Sequence, residues 1–198
     1  MKIDINVPDG ISGNWKVETF EVTKQDAEMQ RFQMFKSGRG VTEGTYKRLM
    51  RNGTVVMSNT PDEISDFRNF VRNATGNVLV NGLGIGVLLQ ALLNKEDIDK
   101  ITVIEKSKNV IELVADTYLK DKRVEVINAD AFEYKPTKTA RYNAVWHDIW
   151  DYITAENLPE MKKLTRKYGR KADYQESWCR SKCEYAEKQS RKQTSGWF

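Results

Sequence analysis

The chain is poor in the residues that most often carry chemistry or covalent cross-links. Of its 198 residues, one is histidine, two are cysteine and four are proline. Two thiols, Cys179 and Cys183, make no disulfide framework, so a reducing cytoplasm is expected (the host's, for a phage-encoded chain). They are spaced i, i+4 on one helix face. With no cluster of partners nearby in sequence, they read as inert thiols rather than a zinc half-site. No apolar run approaches the roughly 20 residues of a membrane span. The opening stretch MKIDINVPDG has no apolar signal-peptide core, so no export is expected. Hydrophobic residues are 39% and charged residues 30%, which excludes a disordered chain and suits a globular one. The length supports one core and is short for two independent domains.

Charge is unevenly spread. The formal net charge is +4, yet eleven Lys/Arg against four Asp/Glu fall between Lys162 and Gln193. That segment is either a docking face for nucleic acid or another polyanion, or a solvated helix face.

Local signals divide the chain into elements. NWKVETFEV (14–22) reads as a strand and residues 23–35 as a helix, with Thr23 as N-cap and Asp26 three residues on. Residues 45–59 read as a hairpin, because Asn52-Gly53 supplies the two positive-φ positions of a type I′ turn. TPDE at 60–63 reads as a capping box with Pro61 at the first helical position, and Ile64, Phe67, Val71 and Ala74 then share one face. From residue 78 onward, apolar strands at 78–81, 101–105, 124–128 and 143–147 alternate with helices at 85–94, 108–118 and about 157–168. That alternation predicts a Rossmann-like α/β fold, a parallel sheet with helices on both faces. Residues 1–74 form an N-terminal extension with a small β-hairpin. Residues 75–198 form the core with a basic C-terminal helix, the whole making one compact unit.

In such sheets a ligand sits beyond the carboxyl ends of the strands. The residues there are Gly82, Gly84 and Gly86 after the first core strand, and Glu105 ending the second. Asp130 and Ala131 follow the third; His147, Asp148 and Asp151 end or follow the fourth. The glycines have two readings: a tight strand-to-helix turn, or a turn stripped of side chains so that a nucleotide-like cofactor can lie on the backbone. A carboxylate at Glu105 suits a ribose, since it can accept from both hydroxyls. The spacing G-x-G-x-G places Val87 where a dinucleotide fingerprint has its third glycine, so a pyrophosphate is less well served. His147 is either a general base or a core residue. Asp148 and Asp151 either bind a cationic acceptor or cap the next helix. Trp146, Trp150 and Tyr152 either stack on a planar acceptor or fill the core.

VLVNGLGIG, Glu105 and NADAF together resemble the class I S-adenosylmethionine (SAM) fold of methyltransferases and spermidine synthases. The resemblance covers about residues 45–185. LMRNGTVVMSNTPDEIS before the glycine turn, Asp148-Ile-Trp-Asp151 after the fourth strand, and DYQESW near the end resemble the spermidine synthase layout. The chain is also similar to phage and bacterial methyltransferase-like proteins.

The resemblance implies SAM or decarboxylated SAM as cofactor. Gly82, Gly84 and Gly86 would face the methionine part, Glu105 would hold the ribose, and Asp130-Ala131 would lie beside the adenine. Asp148 would be the base and Asp151 would help hold an amine; His147 is the second choice of base. No metal is implied. The sequence departs from spermidine synthases at Ile85, where they carry an acid, and at Asp66, where they carry a tyrosine. The NPPY signature of N6-amino methyltransferases is absent, HDIW standing in its place. The expected activity is therefore group transfer from SAM, methyl ahead of aminopropyl. SAM cleavage and a non-catalytic SAM-fold module are the alternatives. The expected partners are a small acceptor, a cationic amine among the candidates, with nucleic acid on the basic helix and a homodimer left open.

Overall fold

The computed structural model describes residues 3–29 and 41–195. Two sheets share one core. The first is antiparallel, in the order β1 (Gly10–Ser12), β2 (Trp15–Val22), β3 (Gly44–Arg51), β4 (Thr54–Ser58). The hairpin expected at 45–59 is its β3–β4 half, closed by Asn52 and Gly53 at φ 50° and 79°. The extension is thus a four-stranded sheet rather than a hairpin alone. β2 pairs with β3 along its whole length, and β1 is too short to show a period in sequence.

Residues 24–29 are helical, and Thr23 and Asp26 bond reciprocally, Thr23 N–H to Asp26 Oδ2 at 3.0 Å and Asp26 N–H to Thr23 Oγ1 at 3.2 Å. The rest of the helix expected to 35 lies outside the described residues. The second expected capping box does not form. Helix α1 (Pro61–Asn73) starts where expected, with Pro61 in its first turn, but Thr60 makes no side-chain cap. Its hydroxyl pairs with Ser58 Oγ at 2.9 Å, and Glu63 Oε1 accepts from Ser58 Oγ at 3.2 Å. A neighbouring hydroxyl in the preceding strand outcompetes the helix N–H groups for both side chains.

The second sheet holds β5 (Gly76–Asn81), β6 (Ile98–Glu105), β7 (Val124–Asn128), β8 (Tyr142–His147) and β9 (Ala172–Ser177). All neighbours are parallel, in the order β7-β6-β5-β8-β9. The crossovers use α2 (Val87–Leu93), α3 (Lys108–Tyr118) and α4 (Leu158–Tyr168), and α5 (Arg180–Ser195) follows β9. The chain runs outward from β5 to β7, then returns to lay β8 on the other side of β5. That reversal opens a crevice at the carboxyl ends of β5, β6 and β8.

Both faces of the sheet's centre are covered, which is why β5, β6 and β8 bury consecutive apolar residues while the edge strands β7 and β9 do not. Val78 and Val80 pack with Ile3, Ile5, Val7, Val17, Leu49 and α1, tying the N-terminal sheet into the core. Leu79, Ile104 and Val145 face the other way, against Tyr168 of α4. Among the described residues no helix is long and apolar enough to cross a membrane.

Candidate functional site

The strand ends meet in one cleft of about 570 Å3. Gly82, Gly84, Glu105, Asp130, Ala131, Asp148 and Asp151 all line it. Gly86 and His147 do not, and each has a place in the core instead.

The glycines are explained by the fold before any ligand is considered. Their φ angles are 102°, 52° and 76° for Gly82, Gly84 and Gly86, a region that costs an L side chain about 1–2 kcal/mol. A Cβ on Gly82 would lie 1.9 Å from the Asp148 carbonyl oxygen, and one on Gly86 2.2 Å from the Tyr118 ring. A Cβ on Gly84 would lie 2.3 Å from Met57 Sδ. The tight-turn reading therefore accounts for all three. Gly82 and Gly84 also form a wall of the cleft, but the space beside Gly84 is filled by Met57 rather than left open.

Glu105 is fixed at the end of β6 by two backbone donors. Leu83 N–H donates to Oε2 at 2.9 Å and Ser107 N–H to Oε1 at 2.7 Å. The carboxylate thus joins the glycine turn to the start of α3, and each oxygen keeps a lone pair for a hydroxyl in the cleft. Asp130 accepts the Phe132 N–H at 2.7 Å and pairs with Lys106 Nζ at 2.8 Å. The Lys106 ammonium holds its carboxyl below the usual range. Ala131 is buried, and its carbonyl accepts from Lys167 Nζ at 2.7 Å.

Asp148 has the unusual electrostatics. Burial pushes its carboxyl up to about 7, with Glu63 and Asp66 adding repulsion. The Trp146 indole N–H, 3.4 Å from Oδ2, acts in the opposite direction. Its backbone N–H donates to the Asn81 carbonyl at 2.8 Å, fixing it at the mouth of the β5–β8 pair.

His147 takes the other face of β8. It is 0% exposed, with Nδ1 2.9 Å from Asn81 Nδ2 and Nε2 3.3 Å from Gln175 Oε1. An amide donor at Nδ1 and an amide acceptor at Nε2 suit the neutral ring protonated on Nε2. Burial depresses its pKa to about 4. Asp151 forms an ion pair with Arg51, whose guanidinium lies 5.2 Å from the centre of the Trp15 ring. Trp146 is core, Trp150 lines the cleft and donates to Glu160 at 2.7 Å, and Tyr152 is exposed.

Several wall residues carry no local signal in the sequence. Trp15, Arg51 and Met57 come from the antiparallel sheet, Glu63 from α1 and Trp178 from the start of the final segment. The hairpin at Asn52-Gly53 was legible, but not that it would hang over the cleft.

The core is a Rossmann-like parallel sheet in the order β7-β6-β5-β8-β9, with its reversal between β7 and β8. No family model and no curated protein matches the chain. Among solved structures it is similar to spermidine synthase from Thermotoga maritima, at 18% identity and TM-score 0.48, over 84% of this chain and 52% of that one. It is also similar to the N-methyltransferase NodS from Bradyrhizobium japonicum WM9 in complex with S-adenosyl-L-homocysteine, at 13% identity and TM-score 0.44, over 57% of each chain. A spermidine synthase in complex with the transition state analogue AdoDATO aligns at 21% identity and TM-score 0.42, over 76% of this chain and 49% of that one. The chain spans about half the length of these proteins.

Proposed function

We propose that this chain binds SAM and transfers a group from it, and that the group is the methyl. The observation that carries the reading is the meeting of Glu105 and Asp148 in one cleft at the switch point of the sheet. Glu105 has what a ribose needs: an anchored carboxylate with acceptor capacity left over for its hydroxyls. Asp130 and the Ala131 backbone stand beside it for the adenine. The volume, about 570 Å3, is in the range of small-molecule sites.

When bound, SAM supplies a methyl made electrophilic by its sulfonium. The protein's part is alignment, and removal of a proton where the acceptor carries one. Asp148 has the required property: a carboxyl with a pKa of about 7 is a base matched to neutral pH. It would take the proton from an acceptor N–H or O–H as that atom's lone pair forms the new bond to the methyl carbon, the S–C bond breaking with its pair left on sulfur as S-adenosylhomocysteine departs. His147 is a poor base here, since both its ring nitrogens are engaged in the core.

Aminopropyl transfer from decarboxylated SAM is the second reading, favoured by the Asp148-x-x-Asp151 spacing. It is weakened by Arg51, which neutralises the acid that would hold an amine. A SAM-cleaving enzyme and a non-catalytic SAM-binding module remain distinguishable by product. Incubation with labelled SAM and a cell extract should give S-adenosylhomocysteine. Methylthioadenosine would instead mean aminopropyl transfer or cleavage, and no product with measurable binding would mean a module. Calorimetry tests the site itself: Glu105→Gln should weaken SAM binding roughly ten- to a hundredfold, and NADH should not compete.

A further inference from the structure

The basic charge of the last third of the chain is not displayed where its sequence density suggests. On α5 the cations are largely matched: Arg180 pairs with Glu184, Lys182 with Asp66 and Arg191 with Glu187. Helix α4 differs. It buries Leu158, Met161, Leu164 and Tyr168, which leaves its outward side to Lys162, Lys163 and Arg166, with Arg170 just beyond its end.

The loop between β7 and β8 is tied to that same helix. Lys167 Nζ donates to the carbonyls of Ala131 and Phe132 at 2.7 and 2.8 Å, and Lys171 Nζ to those of Thr137 and Lys138 at 2.8 and 3.1 Å. These bonds bring Lys135, Lys138 and Arg141 beside α4, all three exposed. The stretches 131–141 and 158–171 hold nine Lys/Arg against two acids, Glu133 and Glu160. Glu160 is turned to the Trp150 indole N–H, 2.7 Å away, and pairs with none of these cations. None of Lys135, Lys138, Arg141, Lys162, Arg166 and Arg170 makes an ion pair among the described residues.

We infer that the face made by α4 and the β7–β8 loop is a nucleic-acid docking surface. The cations and their spacing fit a phosphate backbone. Lys162 and Arg166 are one helical turn apart, about 6 Å along the axis, close to two base steps on one strand at about 3.4 Å each. A membrane fits less well. The large apolar side chains of α4, Leu158, Met161, Leu164 and Tyr168, are all buried, and among the described residues the exposed large apolar side chains (Ile11, Met29, Val55, Leu119, Tyr152, Tyr185) belong to other elements. The face also reaches the cleft: Lys163 Nζ lies 4.9 Å from the centre of the Phe132 ring, and Phe132 lines the cleft. A strand on this face would pass the rim of the cleft. The inference stands on charge and exposure alone, and its test needs no SAM.

The test is fluorescence anisotropy of the full chain with a labelled mixed-sequence 20-nucleotide RNA, the DNA equivalent and a DNA duplex, at 50 and 200 mM salt. Wild type should bind at least one of them, with affinity falling roughly 50-fold between the two salt concentrations for four phosphate contacts on a single strand. Lys135→Glu, Lys162→Glu, Arg166→Glu and Arg170→Glu together should abolish binding. Lys188→Glu with Arg191→Glu on α5 should leave it nearly intact. The inference is overturned by an absence of binding at 50 mM salt, by binding that survives the fourfold reversal, or by an equal loss from the α5 pair. Binding of phosphatidylserine vesicles or polyglutamate with none of the oligonucleotides overturns it as well.

Discussion

Arg51 and Asp151 lie one hundred residues apart in sequence and close across the mouth of the cleft as an ion pair. One comes from the last residue of β3, the other from the loop after β8. Their side chains are 41% and 26% exposed, so the pair contributes little to stability, about 1 kcal/mol or less. Its consequence is for the ligand. Arg51→Ala should leave the melting temperature within a few degrees of wild type and free the Asp151 carboxylate. Calorimetry with spermidine-like amines should then show tighter binding to the variant than to wild type. Equal amine affinity in the two proteins would remove Arg51 as the reason for disfavouring an amine.

Asp148 couples activity to stability. Its carboxyl has a folded-state pKa of about 7 against an ordinary 3.8, so the folded protein holds this proton more tightly than the unfolded chain. Its favourable contribution is therefore complete below about pH 3.8 and is lost as pH rises through 7. Asp148→Asn should be more stable than wild type at pH 8, by roughly 2–4 kcal/mol, with the gap closing towards pH 4. The same variant should lose transfer activity about 10²–10⁴-fold and retain SAM affinity. Denaturant melts at the two pH values and a single-turnover assay check both halves.

His147 has the opposite sign. Its folded pKa of about 4 lies below the ordinary 6.5, so its contribution is complete above about pH 6.5 and is lost as pH falls through 4. Between those values its slope and that of Asp148 oppose each other, and wild-type stability should be flat there. His147→Phe strands the buried Asn81 amide, at about 1–3 kcal/mol, and removes the ring partner of the half-buried Gln175. Melts from pH 4 to 8 should show that loss at neutral pH. They should also show stability falling with pH across 4–6.5 once only Asp148 titrates. A variant whose curve keeps the wild-type plateau would refute the assignment.

The glycine turn separates core from cleft. Gly86→Ala sets a Cβ against the Tyr118 ring, which is buried and cannot move aside cheaply, so it should be the more destabilising change. Gly84→Ala meets only the thioether of Met57, at the end of a flexible side chain. Placed in a Met57→Ala background, Gly84→Ala should cost only the left-handed backbone term, about 1–2 kcal/mol. Four urea curves form the double-mutant cycle, and additivity would mean that Met57 is not the obstacle.

The parallel sheet was legible because its signals are local. The central strands are short apolar runs, each ending on a polar residue, and α3 and α4 carry an apolar face at a period near 3.6. Glu105, Asp130 and Asp148 line the cleft for the same reason, since residues at or just after the carboxyl end of a parallel strand lie at one rim of the sheet. The capping box at Thr60 was misleading because a competing hydroxyl, Ser58, is adjacent in space and invisible to an N-cap rule. The full antiparallel sheet carries no such local signal, because β2 and β3 are separated by residues 23–43, partly helical, instead of a hairpin turn.

Sequence by itself therefore determined the order of elements, the rim on which chemistry-bearing residues stand, and the need for glycine at three left-handed positions. The reason is that backbone preference and hydrophobic period act over a few residues. Tertiary structure alone decided which side chains are used. It sent His147 into the core and Asp148 into the cleft, though they are neighbours in the chain, because successive side chains leave a strand on opposite faces. It paired Arg51 with Asp151, filled the space over Gly84 with Met57, and moved the unmatched positive charge from α5 to α4. Each of these depends on contacts between residues far apart in the chain, and charge, burial and steric exclusion take effect only when those residues meet.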